Sequence, residues 1–131
     1  MPRYLLDADT ASYALRGQGR VGARILQHAP SEVCISSITL AELRFGAETR
    51  KSQKLRRAIR SFVKEVEVIP FDEPAAERFG EVAADLAQRG TPIGVIDTFV
   101  AAHALSLGFT VVTNNTRHFG QVAGLKVEDW L

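Results

Sequence analysis

The chain has 131 residues, enough for one domain that buries roughly two thirds of its unfolded surface in a single core. With 16 basic and 15 acidic residues the formal charge is +1, so a polyanionic partner would need a local cluster of charge or a metal ion to hold it. The single cysteine, Cys34, excludes an internal disulfide, no signal peptide opens the chain, and no apolar run approaches the ~20 residues of a membrane span. These features predict a cytoplasmic protein that does not enter a membrane.

The first predicted strand, residues 3–7, is a short apolar run that stops at Asp7. In an open α/β sheet the carboxyl ends of the strands open onto the ligand crevice, so an acid that closes a strand lies where chemistry usually occurs. Asp9 follows closely and either adds negative charge to the same place or caps the next helix.

Two short helices are predicted next, at residues 10–15 and 21–27, joined by Gly-Gln-Gly-Arg-Val-Gly at residues 17–22. This link matches the Gly-x-Gly-x-x-Gly fingerprint of dinucleotide sites, but that fingerprint must directly follow a strand, and the next strand must end in an acid. Here a helix precedes the link and the second strand ends in serine. A flexible connection between helices is therefore favoured, and a nucleotide site is the alternative.

The second strand, residues 33–36, leads to Thr39 and Glu42, which have the spacing of a capping box that opens a helix extending to about residue 49. Glu42 thus has two interpretations. It either caps the helix or serves as a ligand, because this helix starts at the same sheet edge as Asp7.

The helix predicted at residues 51–66 carries apolar residues on one face and four basic residues on the other. The basic side chains are Lys54, Arg57, Arg60 and Lys64. They form either an ordinary solvated face or a surface that contacts phosphates or an acidic partner.

A third strand, at residues 66–70, is followed by a helix from Asp72 to about Gly90 that is interpreted as structural, with exposed acids. The segment 91–94 then leads to Asp97, at the start of a helix to about residue 107. A crossover helix runs antiparallel to the strand after it, so its amino end, and Asp97, should lie beside Asp7. The alternative is that Asp97 only favours the helix dipole.

The predicted fourth strand, residues 110–113, ends before Asn115 and Arg117, at the same edge of the sheet. A short fifth strand is predicted at residues 125–127, and Trp130 is expected to cover the core. The three histidines are not expected to form a zinc site: His28 ends a helix, His103 is about 120° around its helix from Asp97, and His118 follows a loop.

Asp7, Glu42 and Asp97 are distant in the sequence but are predicted to meet at one edge. Clustered carboxylates raise one another's pKa unless a cation neutralises them, and their hard oxygens favour Mg²⁺ or Mn²⁺. An acid-only site without a nucleophilic side chain points to metal-assisted hydrolysis of a phosphodiester, with water as the nucleophile.

The sequence resembles the PIN-domain ribonuclease toxins of VapBC toxin–antitoxin systems. The resemblance rests on four segments in order: Tyr-Leu-Leu-Asp at 4–7, Ile-Ser-Ser-Ile-Thr-Leu-Ala-Glu-Leu at 35–43, Pro-Ile-Gly at 92–94 with Asp97 and Ala-Ala-His-Ala at 101–104, and Thr-Asn-Asn-Thr-Arg at 113–117. It covers nearly the whole chain.

The resemblance implies a single PIN domain over residues 1–131, a three-layer α/β/α fold with a central, mostly parallel sheet of four to five strands. It implies a Mg²⁺- or Mn²⁺-dependent endoribonuclease that forms a homodimer and is inhibited by a VapB-type antitoxin. Asp7, Glu42 and Asp97 match the family's acidic positions and inherit its metal-binding and catalytic role. Supporting polar positions and candidate contacts to RNA or a partner complete the expected site: Asp9, Thr39 and Asn115, and Arg57, Arg60 and Arg117.

Two departures from the family pattern affect the expected charge of the site. Asn115 stands where the family often has an acid, which puts a second metal in doubt, and Asp9 stands where many members have asparagine. The acid cluster also suits a guanidinium group, so an antitoxin tail is expected to insert Arg or Lys beside Asp7 and Asp97.

Two other functions compete with the ribonuclease. A receiver-like phospho-acceptor module also places acids and Mg²⁺ at strand ends, but it needs a lysine near the pocket, and Lys126 lies within the predicted fifth strand rather than at its exit. A transcriptional co-repressor that acts with the antitoxin is compatible with the enzyme. The sequence does not identify the RNA.

Overall fold

The computed structural model describes residues 3–131. Its strands are β1 (Tyr4–Leu6), β2 (Val33–Ser36), β3 (Glu67–Ile69), β4 (Thr110–Val112) and β5 (Val127–Glu128). Its α-helices are α1 (Ala8–Leu15), α2 (Val21–Leu26), α3 (Ser37–Thr49), α4 (Gln53–Glu65), α5 (Glu73–Gln88), α6 (Val95–Leu107) and α7 (Thr116–Phe119), and a 3₁₀ turn occupies Pro30–Glu32.

All strand pairs are parallel and follow the order β3-β2-β1-β4-β5, so β1 is the central strand. Leu5 lies opposite Cys34 on β2 and Val111 on β4. Since all strands point the same way, the residues that follow β1, β2 and β4 meet at one edge. The predicted three-layer fold with a sheet of four to five strands is confirmed.

The two faces of the sheet bury separate clusters of apolar side chains. Leu5, at the middle of β1, packs with residues of α5, α6 and α7, whereas its neighbours Tyr4 and Leu6 pack with residues of α1, α3 and α4. This alternation is the two-residue period of a strand buried on both faces. Trp130 is 1% exposed and joins the second cluster, as predicted.

The predicted capping box at Thr39 and Glu42 is wrong. Helix α3 begins at Ser37, directly after β2, and the Ser36 hydroxyl accepts a hydrogen bond of 3.1 Å from the Ile38 amide. The last residue of the strand is itself a capping serine, so no loop precedes the helix. Glu42 therefore lies in the second turn of α3, too far along to satisfy the amides of the helix start.

Other boundaries differ from the predictions by small amounts. Helix α1 starts at Ala8 because Asp7 caps it, and β5 covers Val127–Glu128 rather than 125–127. The Gly-rich segment at 17–22 joins α1 to α2, which is the connection between helices that the sequence favoured over a nucleotide site. Among residues 3–131 no helix is both long and apolar enough to cross a membrane.

Candidate active site

Asp7 is fixed at the carboxyl end of the central strand. It is 4% exposed; its Oδ1 accepts a hydrogen bond of 2.9 Å from the Thr10 amide and its Oδ2 one of 2.5 Å from the Thr113 hydroxyl. Burial raises the pKa of Asp7, and the hydrogen bonds from Thr113 and Thr10 oppose that rise. The carboxylate thus caps α1, is fixed in orientation by these two hydrogen bonds, and keeps a free lone pair on each oxygen.

Glu42 is half-buried and lies within the electrostatic reach of the other acids. Burial is the main cause that raises the pKa of Glu42, followed by the negative charges of Asp97, Asp9 and Asp7. The predicted convergence of Asp7, Glu42 and Asp97 is therefore visible in the electrostatics of this edge.

Asp97 lies in the first turn of α6, and its side chain is 30% exposed. Its Oδ2 atom is 3.6 Å from Nδ1 of His118. Burial raises the pKa of Asp97, whereas His118 lowers it in part. Ala101 and Ala104, one and two turns along α6, are fully buried, so the helix packs closely on the sheet as the alanines predicted.

Asp9 is exposed in the first turn of α1, and it does not cap the helix, since Asp7 does. Its charge acts on Asp7, Glu42 and Asp97 alike and raises the pKa of each. Of the two interpretations, the structure favours Asp9 as added negative charge.

Thr39 is fully buried in the first turn of α3, and its hydroxyl has no hydrogen-bond partner within the described chain. Such an orphaned oxygen is uncommon in a folded protein, where buried polar atoms are usually paired. It is an oxygen donor with spare capacity, one turn before Glu42.

The turn after β4 carries Asn115, which the sequence predicted as a supporting polar position, together with contacts of Thr113 and His118 that the sequence did not predict. The Thr113 hydroxyl donates to Asp7 and accepts a hydrogen bond of 2.8 Å from the Asn115 amide, and the Asn115 side-chain Nδ2 lies 2.9 Å from His118 Nδ1. His118, predicted to follow a loop, belongs to the short helix α7 after this turn and faces Asp97. This chain of polar contacts links Asp7 to Asp97 around the edge.

A second missed contact fixes α6 against β2. His103 is buried and its Nδ1 lies 2.9 Å from the Ser36 hydroxyl that caps α3. Burial lowers the pKa of His103, which favours the neutral ring. His103 is thus part of the scaffold that holds α6 against β2.

The candidate contact residues Arg57, Arg60 and Arg117 are all exposed, and within residues 3–131 none of them forms an ion pair. Arg57 and Arg60 lie on the outer face of α4. Arg117 lies in α7, next to His118. All three are therefore free to contact a phosphate or an acidic partner.

A cleft of about 180 Å³ lies beside the acids, between α1, α3 and α4. Asp9 and Glu42 line one part of it and Arg50 another, and its apolar walls include Leu15, Leu43 and Leu55. It offers apolar side chains a place to bind next to the carboxylates.

No three His, Cys, Asp or Glu side chains within residues 3–131 lie close enough together to hold a metal ion as they stand. These residues fit a cation by the chemistry of their donor atoms rather than by a preformed geometry. Four acids concentrate negative charge at one edge, their donors are hard oxygens, and Thr39 has an unpaired oxygen one turn before Glu42 on α3. Mg²⁺ and Mn²⁺ are the cations that such a donor set prefers.

Replacing Glu42 by glutamine is expected to stabilise the metal-free protein, raising its Tm at about pH 7 by ~2–4 °C. Because the pKa of Glu42 is raised in the folded state, the folded protein loses stability as pH rises through that pKa, and glutamine removes the loss. Melting curves with chelator at about pH 4 and about pH 7 should show the gain only at the higher pH. Glu77→Gln, at an exposed position on α5, is the matched control, and a Glu42→Gln protein that melts earlier at neutral pH would contradict the expectation.

The chain is similar to known proteins in both sequence and fold. The model of the PIN domain family matches residues 4–125. The chain is 37% identical over 131 residues to the tRNA(fMet)-specific endonuclease VapC of Salmonella typhimurium, covering 99% of both chains, and 38% identical over 133 residues to the protein of the same name from Shigella flexneri, again covering 99% of both. The crystal structure of DNA-bound VapBC from Salmonella typhimurium aligns with a TM-score of 0.90 at 38% identity, over 100% of both chains.

Proposed function

The chain belongs to the PIN-domain family and is of the VapC type, and from that membership we propose that it is the endoribonuclease toxin of a toxin–antitoxin pair. It hydrolyses RNA phosphodiester bonds with the help of Mg²⁺ or Mn²⁺ held by Asp7, Glu42 and Asp97. The observation that carries the proposal is the position of these acids at the carboxyl edge of the parallel sheet, where the negative charges of Asp97 and Asp7 raise the pKa of Glu42.

When bound, the cation lowers the pKa of water and neutralises charge on the phosphate. Asp7 holds its orientation through Thr10 and Thr113, so its free lone pairs face a fixed direction. Glu42 is the acid whose pKa the negative charges of the other three raise, so a cation bound beside it would relieve that repulsion. Arg117, exposed near the site, is suited to hold a neighbouring phosphate of the RNA.

The initiator tRNA is the proposed substrate, because two relatives at 37% and 38% identity are named tRNA(fMet)-specific endonucleases. Purified protein is expected to cut initiator tRNA only with Mg²⁺ or Mn²⁺ and to leave 5′-phosphate ends, since water attacks rather than the ribose 2′-hydroxyl. Elongator methionine tRNA, which shares the anticodon, is the control and should stay intact. Metal-independent cleavage to a 2′,3′-cyclic phosphate would contradict the mechanism, and equal cleavage of both tRNAs would contradict the substrate.

The proposed partner is a VapB-type antitoxin, in line with the structural neighbours that are VapBC complexes. Its tail is proposed to lay apolar side chains along the clefts between α1, α2, α3 and α4 and to insert an arginine or lysine beside Asp7 and Asp97. A guanidinium group forks onto carboxylates and keeps its charge, so it can replace the cation. The wider cleft between α2 and α4, about 620 Å³, includes Leu26, which is 86% exposed.

A homodimer and a cytoplasmic location are further parts of the proposal. Val95 and Ile96, beside Asp97 at the start of α6, are 62% and 38% exposed, and such apolar side chains favour a protein contact. Cys34 is a free, buried thiol, which suits a reducing compartment.

The two competing functions, a receiver-like module and a co-repressor, differ in how well they fit the structure. Lys126 precedes β5 and so lies at the opposite end of that strand from the acids, where it does not supply the lysine of a receiver-like pocket. Co-repression with the antitoxin remains compatible with the enzyme, because the Salmonella typhimurium VapBC structure is of a DNA-bound complex.

A further inference from the structure

Within residues 3–131, His118 is the one histidine that the structure brings against the candidate acids. Its Nδ1 atom is 3.6 Å from Asp97 Oδ2, and its side chain is 48% exposed, so it is open to solvent and to a ligand. The other two histidines belong to the scaffold: His28 stacks on Trp130 and His103 contacts Ser36.

The surroundings of Nδ1 are compatible with a ligand role for the ring. Nδ1 lies 2.9 Å from Asn115 Nδ2, and in the neutral tautomer that carries its proton on Nε2 it presents a lone pair. Asp97 Oδ2 also presents lone pairs, and the separation of 3.6 Å exceeds the usual hydrogen-bond length of about 3.2 Å. In that tautomer, Nδ1 and Asp97 Oδ2 are two electron-pair donors that a cation can bridge.

The separation is also compatible with one ion contacting both atoms. Two ligands that each lie about 2.1 Å from an ion are at most about 4.2 Å apart. The ion would take the place of the Asn115 amide proton on the Nδ1 lone pair.

We propose that His118 is a nitrogen ligand that shares a metal ion with Asp97, and that it shifts the preference of the site from Mg²⁺ toward divalent transition metals such as Mn²⁺. The inference rests on the proposed function, because it presumes that the acids bind a divalent cation. Mg²⁺ takes oxygen ligands almost exclusively, whereas imidazole is a good ligand for transition metals. A neutral ring adds a ligand without adding to the repulsion among Asp7, Asp9, Glu42 and Asp97.

The test titrates Mn²⁺ and Mg²⁺ into untagged full-length protein in the absence of RNA. Free Mn²⁺ is measured by electron paramagnetic resonance, and Mg²⁺ binding is measured by calorimetry. Pulsed electron paramagnetic resonance identifies the ligands of bound Mn²⁺, because it detects coupling to an imidazole ¹⁴N. The variants are His118→Gln and His118→Glu, with Gln121→Ala as the control because Gln121 is exposed and lies beyond α7.

Wild type and Gln121→Ala should show the ¹⁴N coupling, and both His118 variants should lose it. His118→Gln should weaken Mn²⁺ binding about tenfold or more, while its Mg²⁺ affinity changes by about threefold or less. His118→Glu should bind Mg²⁺ more tightly than wild type, because it supplies a charged oxygen, and this gain also shows that a variant at this position folds.

The outcomes distinguish a failure of the inference about His118 from a failure of the proposed function on which it rests. Wild type that binds neither cation would overturn the metal-dependent function itself. Bound Mn²⁺ without ¹⁴N coupling, or with coupling that survives in His118→Gln, would overturn the role of His118 and leave metal binding by the acids intact.

Discussion

Asp7→Asn will lower the rate of RNA cleavage by at least about 100-fold, because even outer partners of metal ligands cost 10–100-fold when removed. The substitution removes a negative charge from the centre of the acid cluster and keeps nearly the same shape. Asparagine Oδ1 can still accept the hydrogen bond from the Thr10 amide, so α1 remains capped and the protein should fold. Cleavage of initiator tRNA and thermal melting, measured on the same sample, check both halves of the expectation.

Asp7→Ala is the informative companion, since it removes the cap as well as the charge. It should be equally inactive and less stable by about 1 kcal/mol from the lost cap, with a further loss because the Thr113 hydroxyl no longer has its acceptor. If Asp7→Asn cleaves at nearly the wild-type rate, Asp7 is a structural cap only. If it fails to fold, Asp97→Asn replaces it in the test, because Asp97 accepts no helix-capping hydrogen bond.

Replacing the inserted basic residue of the antitoxin by alanine is expected to turn a silent toxin–antitoxin complex into an active ribonuclease. The apolar contacts along α1 to α4 should still hold the complex, while the acids regain access to cation and RNA. Activity and complex formation are measured together, by tRNA cleavage and by size-exclusion chromatography at saturating Mg²⁺. A matched antitoxin variant, in which a basic residue outside the tail becomes alanine, should stay silent.

A complex that persists and remains silent in spite of the alanine would mean that the tail blocks the path of the RNA rather than neutralising the acids. Raising the salt concentration is a second way to distinguish these two modes of inhibition. Charge neutralisation by an exposed ion pair weakens with ionic strength, and apolar packing does not.

Most of the architecture could be predicted because it depends on patterns that are local in the sequence. Short apolar runs marked the strands, and helical periodicity marked α4, α5 and α6. The handedness of crossover connections then placed Asp7, Glu42 and Asp97 at one edge without any coordinates. These predictions needed only the order of the elements.

The failures arose where structure depends on single turns. Helix α7, Thr116–Phe119, is too short to show a periodicity, so His118 and its contact with Asp97 could not be predicted. The capping box was misassigned because Ser36 ends a strand and caps a helix at once, which leaves no loop to mark the boundary. The one available signal was the polar Thr-Asn-Asn segment after β4, which predicted polar groups at the edge but not their directions.

The hydrogen bond between Asp7 and Thr113 has a consequence for synthesis. The two residues are 106 positions apart, so at ~5–20 residues per second about 5–20 s separate their emergence during translation. The central strand also lacks one of its two neighbours until β4 has been made. A nascent chain therefore contains Asp7 but lacks the Thr113 hydroxyl that orients its carboxylate. We expect the site to become complete only when translation of the chain is nearly finished, so that the protein cannot cleave RNA earlier.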